Sequence, residues 1–365
     1  AFSGCIRMVR TLVAVYSAAL AGLPLVHAIG PRIYVAGSGA DMLSQPNTTA
    51  EIIALSGKVL PRVLYLGTAT YDNPDAMGAQ TKNFIDTGCT VSTLNVAYLS
   101  PAPKDIATAF TLADVIVVSG GNTLFAVDRW RKLGMDALMK EALSRGAVLS
   151  GGSAGFIALC TGGHSDSMQP DSYKNPPGPL LNGSDTVRKQ VDANWAYIRV
   201  PGMGILDTMC CPHYDMTGTN GVPRADDFTR MLQHHSGEDA IGIDNWAALE
   251  IDGETFRVIS RAGKHGSVLP DGSFSTNSTG RPGVWSLSID PVSGELGRTL
   301  VETSGQAADL IRKARYIAQD AELPVARAQN PDDGCPPAWN STANQEAVTR
   351  LAYSGHGLPS SHWWN

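Results

Sequence analysis

A doubly wound α/β fold, with a mostly parallel sheet covered by helices on both faces, is what the sequence predicts. From Pro31 onward, short runs rich in Val, Ile and Leu alternate with stretches of helical pattern, and several of the runs end in glycine turns. Runs of that composition, separated by helices, describe parallel strands buried on both sides.

The first strand, 32–39, closes on Gly37-Ser38-Gly39, and the second, 62–69, on Gly67. Residues 76–86 fit an amphipathic helix and 90–96 a third strand. The fourth strand, 114–121, ends in Ser119-Gly120-Gly121 and is followed by helices over 124–130 and 135–145. Residues 146–150 form the next buried strand, and 156–160 begin a helix behind it. The glycines after the first strand raise the question of a dinucleotide site. Gly37-Ser38-Gly39 runs into Ala40-Asp41-Met42, however, so the third glycine of the fingerprint is absent and a tight strand-to-helix turn is the better reading. No Walker loop occurs.

With 365 residues the chain is long enough for one large or two ordinary domains. A net charge of -6 without a long Lys/Arg run argues against a dedicated binder of nucleic acid or anionic membranes, and favours a small-molecule or peptide substrate. Met8-Val9-Arg10, the apolar stretch 11–26 and Ala28 resemble a secretory signal peptide behind a short prefix, so 1–28 is set apart. A secreted or secretory-lumen glycoprotein is the corresponding expectation. Sequons at Asn47, Asn182, Asn277 and Asn340 accord with it. Past Ala28 the cysteines are Cys89, Cys160, Cys210, Cys211 and Cys335, an odd set with no zinc-ligand spacing. No metal or organic cofactor is implied. The main domain is read as 29–290, with an inserted loop over 169–201. An irregular extension over 291–365 holds one helix within 303–320.

Gly151-Gly152-Ser153-Ala154-Gly155 is the segment that speaks to chemistry. A G-x-S-x-G pentapeptide between a buried strand and a small-residue helix holds a nucleophilic serine in a sharp turn, with glycines where two backbones approach closely. Ser119-Gly120-Gly121-Asn122-Thr123 also joins a strand to a helix, so its N–H groups face the carboxyl edge of the sheet. The N–H groups of Gly121 and Ala154 are the candidate oxyanion hole, and Asn122 is a candidate substrate contact. The base must be a histidine that is neutral near pH 7. His164 and His213 are the candidates in ordered sequence, and His213 stands where the apolar run 209–211 meets a loop.

Gly120-Gly121-Asn122-Thr123, Gly152-Ser153-Ala154-Gly155, Asp166-Ser167-Met168 and Pro212-His213-Tyr214 together resemble, in order, the motifs of the dipeptidase E and cyanophycinase family of serine peptidases, over roughly residues 33–259. The resemblance implies a class I glutamine amidotransferase-like fold with Ser153 as nucleophile and His213 as base. It implies Asp166 as the third triad member, with Asp215, Asp244 or a glutamate as competitors. It also implies Arg224 as a clamp for an acidic substrate side chain, hence an Asp-X dipeptidase or a cyanophycinase-like enzyme acting on short peptides, in a chain that forms a homodimer. Two other readings stand beside it: an α/β-hydrolase esterase, which shares the G-x-S-x-G turn, and a non-catalytic binding module on the same fold.

Overall fold

The computed structural model of the protein describes residues 30–173, 193–235, 237–277 and 279–311. The leader-like segment, the sequons at Asn182 and Asn340, Cys335 and the tail beyond 311 lie outside the described residues, as does most of the inserted loop.

The chain opens with β1 (Arg32–Ala36), then the short helix α1 (Ala40–Leu43) and α2 (Pro46–Ser56). β2 (Val63–Leu66), α3 (Pro74–Asp86), β3 (Val91–Thr93), α4 (Pro103–Leu112) and β4 (Val115–Val118) follow. Next come α5 (Thr123–Lys132), α6 (Met135–Ser144) and β5 (Val148–Gly152). β1, β5, β4, β2 and β3 lie side by side in that order and parallel, as the apolar runs predict. Each strand divides its residues between two cores. Ile33, Val35, Leu64, Leu66, Ile116 and Val118 pack with Trp130, Met135 and Met139 of α5 and α6. Tyr34, Val63, Tyr65, Val115 and Val117 face the other way, onto Met42, Ile52, Leu55 and Phe84 of α1 to α3. Period-two alternation under helices on both faces is what makes these strands apolar throughout.

Two helices, α2 and α4, were not expected. Each begins on a proline, Pro46 and Pro103, whose missing N–H costs nothing in a first helical turn. The predicted strand 90–96 shrinks to β3, an edge strand with exposed Ser92 and Thr93.

The single expected sheet is two. After β5 comes α7 (Ala154–Leu159), which passes without a loop into β6 (Cys160–Ser165). A parallel crossover takes a dozen or more residues, so a helix of six cannot return the chain to the first sheet, and β6 founds a second. β7 (Ile198–Pro201), β8 (Leu206–Cys211), α8 (Arg224–His234) and β9 (Ala240–Ile243) build on it. β8 lies parallel to both β6 and β9, and β7 is antiparallel on the outer edge, so the end of the inserted segment is a strand. The chain then rejoins the first sheet through β10 (Ala247–Asp252), antiparallel to β1, and β11 (Thr255–Ser260).

The boundary expected at 290 falls inside a hairpin. β12 (Val284–Ile289) and β13 (Leu296–Leu300) pair with each other and β12 with β9, while β14 (Ser304–Gln306) pairs with β11. Asp290 ties the hairpin turn by accepting from the N–H groups of Val292 and Ser293. The helix expected within 303–320 is, among the described residues, only α9 (Ala307–Leu310). The stretch 291–311 is therefore part of both sheets. A chain ending at Asp290 is expected to melt below one ending at Ile311, by a margin worth about 3 kcal/mol, since Leu296, Leu300 and Leu310 lose their burial; calorimetry of the two truncations measures it.

Candidate active site

The carboxyl ends of β1, β4, β5, β8 and β9 bring their turns together at one edge, where open α/β sheets bind ligands. Ser153 sits between β5 and α7 with φ 53° and ψ -114°. His213, two residues past β8, has φ 49°. Apart from these two, the non-glycine residues with positive φ among the described ones are Tyr71 and Asp72. Such backbone costs on the order of 1–3 kcal/mol per residue and persists where the surroundings over-determine it. For Ser153 the surroundings are visible. Its N–H donates to the Ala36 carbonyl at 3.2 Å, and a Cβ on the preceding Gly152 would stand 2.2 Å from the carbonyl oxygen of Ser38. Although Ser153 occupies the cap position of α7, its hydroxyl makes no cap bond.

That hydroxyl lies 2.9 Å from Nε2 of His213. The His213 N–H is fixed to the carbonyl of Gly37 at 3.0 Å, and Nδ1 stands 2.6 Å from Oδ1 of Asn245. Asn245 belongs to the turn between β9 and β10. Its side-chain Nδ2 donates to Oδ2 of Asp41 at 2.8 Å, its main-chain N–H donates to Oδ1 of Asp215 at 2.7 Å, and its carbonyl accepts from the Ser38 hydroxyl at 2.8 Å.

The group on the far side of the imidazole is therefore an amide rather than one of the carboxylates considered from sequence. Asp166, directly after β6, is engaged by Arg224, whose Nη1 donates to Oδ2 at 2.7 Å. It reaches His213 only through its field. Burial works to raise the Asp166 carboxyl, but the Arg224 guanidinium and the nearby His213 outweigh it and hold it below the ordinary aspartate range. Asp215 supports the Asn245 backbone. Asp244 accepts from the N–H groups of Ser267 and Gly283, and burial, with the Asp215 charge beside it, pushes it up to about 7.

Arg224, the expected clamp, opens α8 and is 4% exposed. Besides Asp166 it donates to the His164 carbonyl at 3.0 Å, and it lies over the Tyr197 ring at 4.9 Å. Its charge is already met. Asn122 caps α5, accepting from the Phe125 N–H, and its amide donates to the Ser167 carbonyl and the Ser172 hydroxyl, so it works as cap and tie. Gly121, at φ 118°, sits in the turn that brings Gly120 against the Ser153 side chain. Ala154 opens α7, where a first-turn N–H has no intrahelical acceptor. His164 is buried on β6, held by Asp227 at 2.9 Å and stacked on Tyr197, away from the serine pair. Cys89, Cys160, Cys210 and Cys211 are buried free thiols. Among the described residues no helix is long and apolar enough to cross a membrane, and no three His, Cys, Asp or Glu side chains group to hold a metal ion.

Sequence reasoning missed Asn245 and Asp41 as members of the site. Both stand just past strands whose carboxyl ends reach this edge, and that was the signal available.

A serine in strained backbone on a strand-to-helix turn, bonded to a histidine on a neighbouring turn, places the molecule among α/β proteins equipped for nucleophilic chemistry. Residues 33–259 match the model of peptidase family S51, and the chain belongs to that family and is a peptidase. A Bacillus subtilis (strain 168) protein named uncharacterized peptidase YgaJ is 27% identical over 186 residues, half of this chain and 69% of that one. A Trypanosoma brucei brucei protein named G2/mitotic-specific cyclin-1 is 27% identical over 305 residues, 76% of this chain and 86% of its own; the family model, not that name, places the chain. Among solved structures, a peptidase from an acI-B1 Actinobacterium superposes with a TM-score of 0.48 at 17% identity, covering 77% of this chain and 98% of its own.

Two outcomes are expected. Burial and then the Arg224 charge lower His213 to about 4, so the imidazole is neutral through the physiological range and gains its proton only in acid. Peptide kcat/KM should therefore stay level down to about pH 5 and fall below it, whereas an acid limb centred near the ordinary histidine value of about 6.5 would contradict the assignment. Arg224→Met strands the Asp166 carboxylate, and because Asp166 keeps some water the cost should be near the lower end for a broken buried pair, about 3 kcal/mol, read from urea midpoints.

Proposed function

We propose that the protein is a serine peptidase that hydrolyses short peptides through an acyl-enzyme on Ser153. The observation that carries the reading is the 2.9 Å contact between Ser153 Oγ and His213 Nε2, made by a serine whose backbone is held out of the ordinary regions. His213 takes the hydroxyl proton as Oγ bonds to the scissile carbonyl carbon. The same proton passes to the departing amine as the C–N bond breaks, and a water activated by His213 then releases the acid. The N–H groups of Gly121 and Ala154 receive the carbonyl oxygen as it gains charge. Ser153 is 9% exposed, so its recess favours a chain end or a short peptide over the surface of a folded protein.

The contacts of Arg224 shape the specificity. A guanidinium paired with Asp166 presents little net charge to a second carboxylate, so we do not assign it the selection of N-terminal aspartate. The test is a panel of Asp-Leu, Leu-Leu, a β-aspartyl-arginine dipeptide and p-nitrophenyl acetate. Peptide cleavage should occur without strong preference for Asp-Leu, and Ser153→Ala should reduce it by at least about 10³-fold with the fold intact. Full activity in Ser153→Ala would end the proposal, and ester turnover without peptide cleavage would point to an esterase.

A further inference from the structure

We propose that Asp41 is a positioning residue of the site: its carboxylate orients the Asn245 side-chain amide, and through it sets which nitrogen of His213 carries the proton. The inference rests on the reading of His213 as the base for Ser153.

The two ends of an asparagine amide have nearly the same shape but opposite hydrogen-bonding character. With oxygen toward the ring, Asn245 accepts from an Nδ1–H, and the bare Nε2 faces Ser153, ready to take its proton. With the NH₂ group toward the ring, Asn245 donates to Nδ1. The ring proton then sits on Nε2, pointing at the hydroxyl, and the base is lost. An aspartate in this place would need no help, because both its oxygens accept. An asparagine needs something to choose.

The contacts of the Asn245 main chain, to Asp215 and Ser38, hold its backbone and leave the amide free to turn over. The choice falls to Asp41, whose Oδ2 lies 2.8 Å from one end of the amide and 204 residues away in sequence. A carboxylate oxygen only accepts, so the nitrogen of Asn245 must face Asp41 and its oxygen must face His213 Nδ1, at 2.6 Å. Asp41 is also well placed to enforce this. It lies in the first turn of α1, immediately after the Gly37-Ser38-Gly39 turn that binds the His213 N–H and the Asn245 carbonyl. One short segment thus holds the backbones of the base and its partner and supplies the charge that orients the amide between them. The run Gly37 to Met42, with its incomplete nucleotide fingerprint, acquires a role in this way.

The experiment exchanges the two side chains. Asp41→Asn gives the amide a neighbour that accepts or donates, and kcat should fall on the order of 10²-fold or more with KM little changed. Nitrogen-15 spectra of the histidine rings should show His213 gaining the Nε2–H form. The double variant Asp41→Asn with Asn245→Asp places the carboxylate next to the ring and the amide behind it, and should recover kcat to within about tenfold of the parent. Asp41→Ala serves as a second probe of the single loss, since the Asp41 side chain is exposed. The proposal is overturned if Asp41→Asn keeps the parental kcat, or if kcat falls while the His213 tautomer stays as Nδ1–H and the exchange restores nothing. Ser153→Ala separates the two levels: activity surviving there removes the catalytic reading itself, whereas a dead Ser153→Ala beside an unaffected Asp41→Asn removes only the role of Asp41.

Discussion

The turn that follows β1 is the contact on which the site depends. Ala36, Gly37 and Ser38 each bond a different turn: the Ala36 carbonyl takes the Ser153 N–H, the Gly37 carbonyl takes the His213 N–H, and the Ser38 hydroxyl holds the Asn245 carbonyl. The packing is as close as main chain allows. A Cβ on Gly37 would lie 2.0 Å from the Asp244 carbonyl oxygen. Three groups separated by dozens of residues thus share one reference point, and the 2.9 Å and 2.6 Å distances around the imidazole follow from it. Placing a catalytic group to within a fraction of an ångström needs this kind of backbone support, because side-chain packing alone leaves rotamers to choose.

The electrostatics divide along the same lines. Buried polar groups are met by partners: Arg224 by Asp166, the neutral His164 ring by Asp227, and Asp244 by the N–H groups of Ser267 and Gly283. The reacting pair is left with neutral neighbours in direct contact, serine on one side and an amide on the other, while carboxylates act on the ring from a distance. Burial and the Arg224 charge keep the imidazole unprotonated at rest, against the opposing pull of those carboxylates. A proton on the His213 ring is favoured first by the field of Asp166, then by the Asn245 hydrogen bond and the field of Asp41, rather than by an ion pair at the ring.

Much of this was legible in the chain. The parallel strands announce themselves as runs buried on both faces, and Ser153 and His213 are marked by a nucleophile turn and by a histidine at the end of an apolar run. What escaped did so for physical reasons. Pro46 and Pro103 look like breaks and are helix starts. β13 and β14 have alternating exposed positions and little apolar content, since they lie at sheet edges, so they read as tail. Asp166 has the residue type and spacing of a triad member, yet its nearest charge is on α8, a separation along the chain that no local pattern reports. Asn245 and Asp41 are ordinary turn residues until β10 is laid against β1.

The placement of β1 also sets when the site comes into being. β1 precedes both of its neighbours in the sheet, β5 and β10, so one flank waits for residue 148 and the other for residue 247. A nascent chain that has emerged as far as Ser153 lacks the histidine that faces it, and one that has emerged as far as His213 lacks the asparagine behind the ring. The Ser153–His213–Asn245 arrangement is complete only when the turn into β10 carries Asn245 into place beside β1.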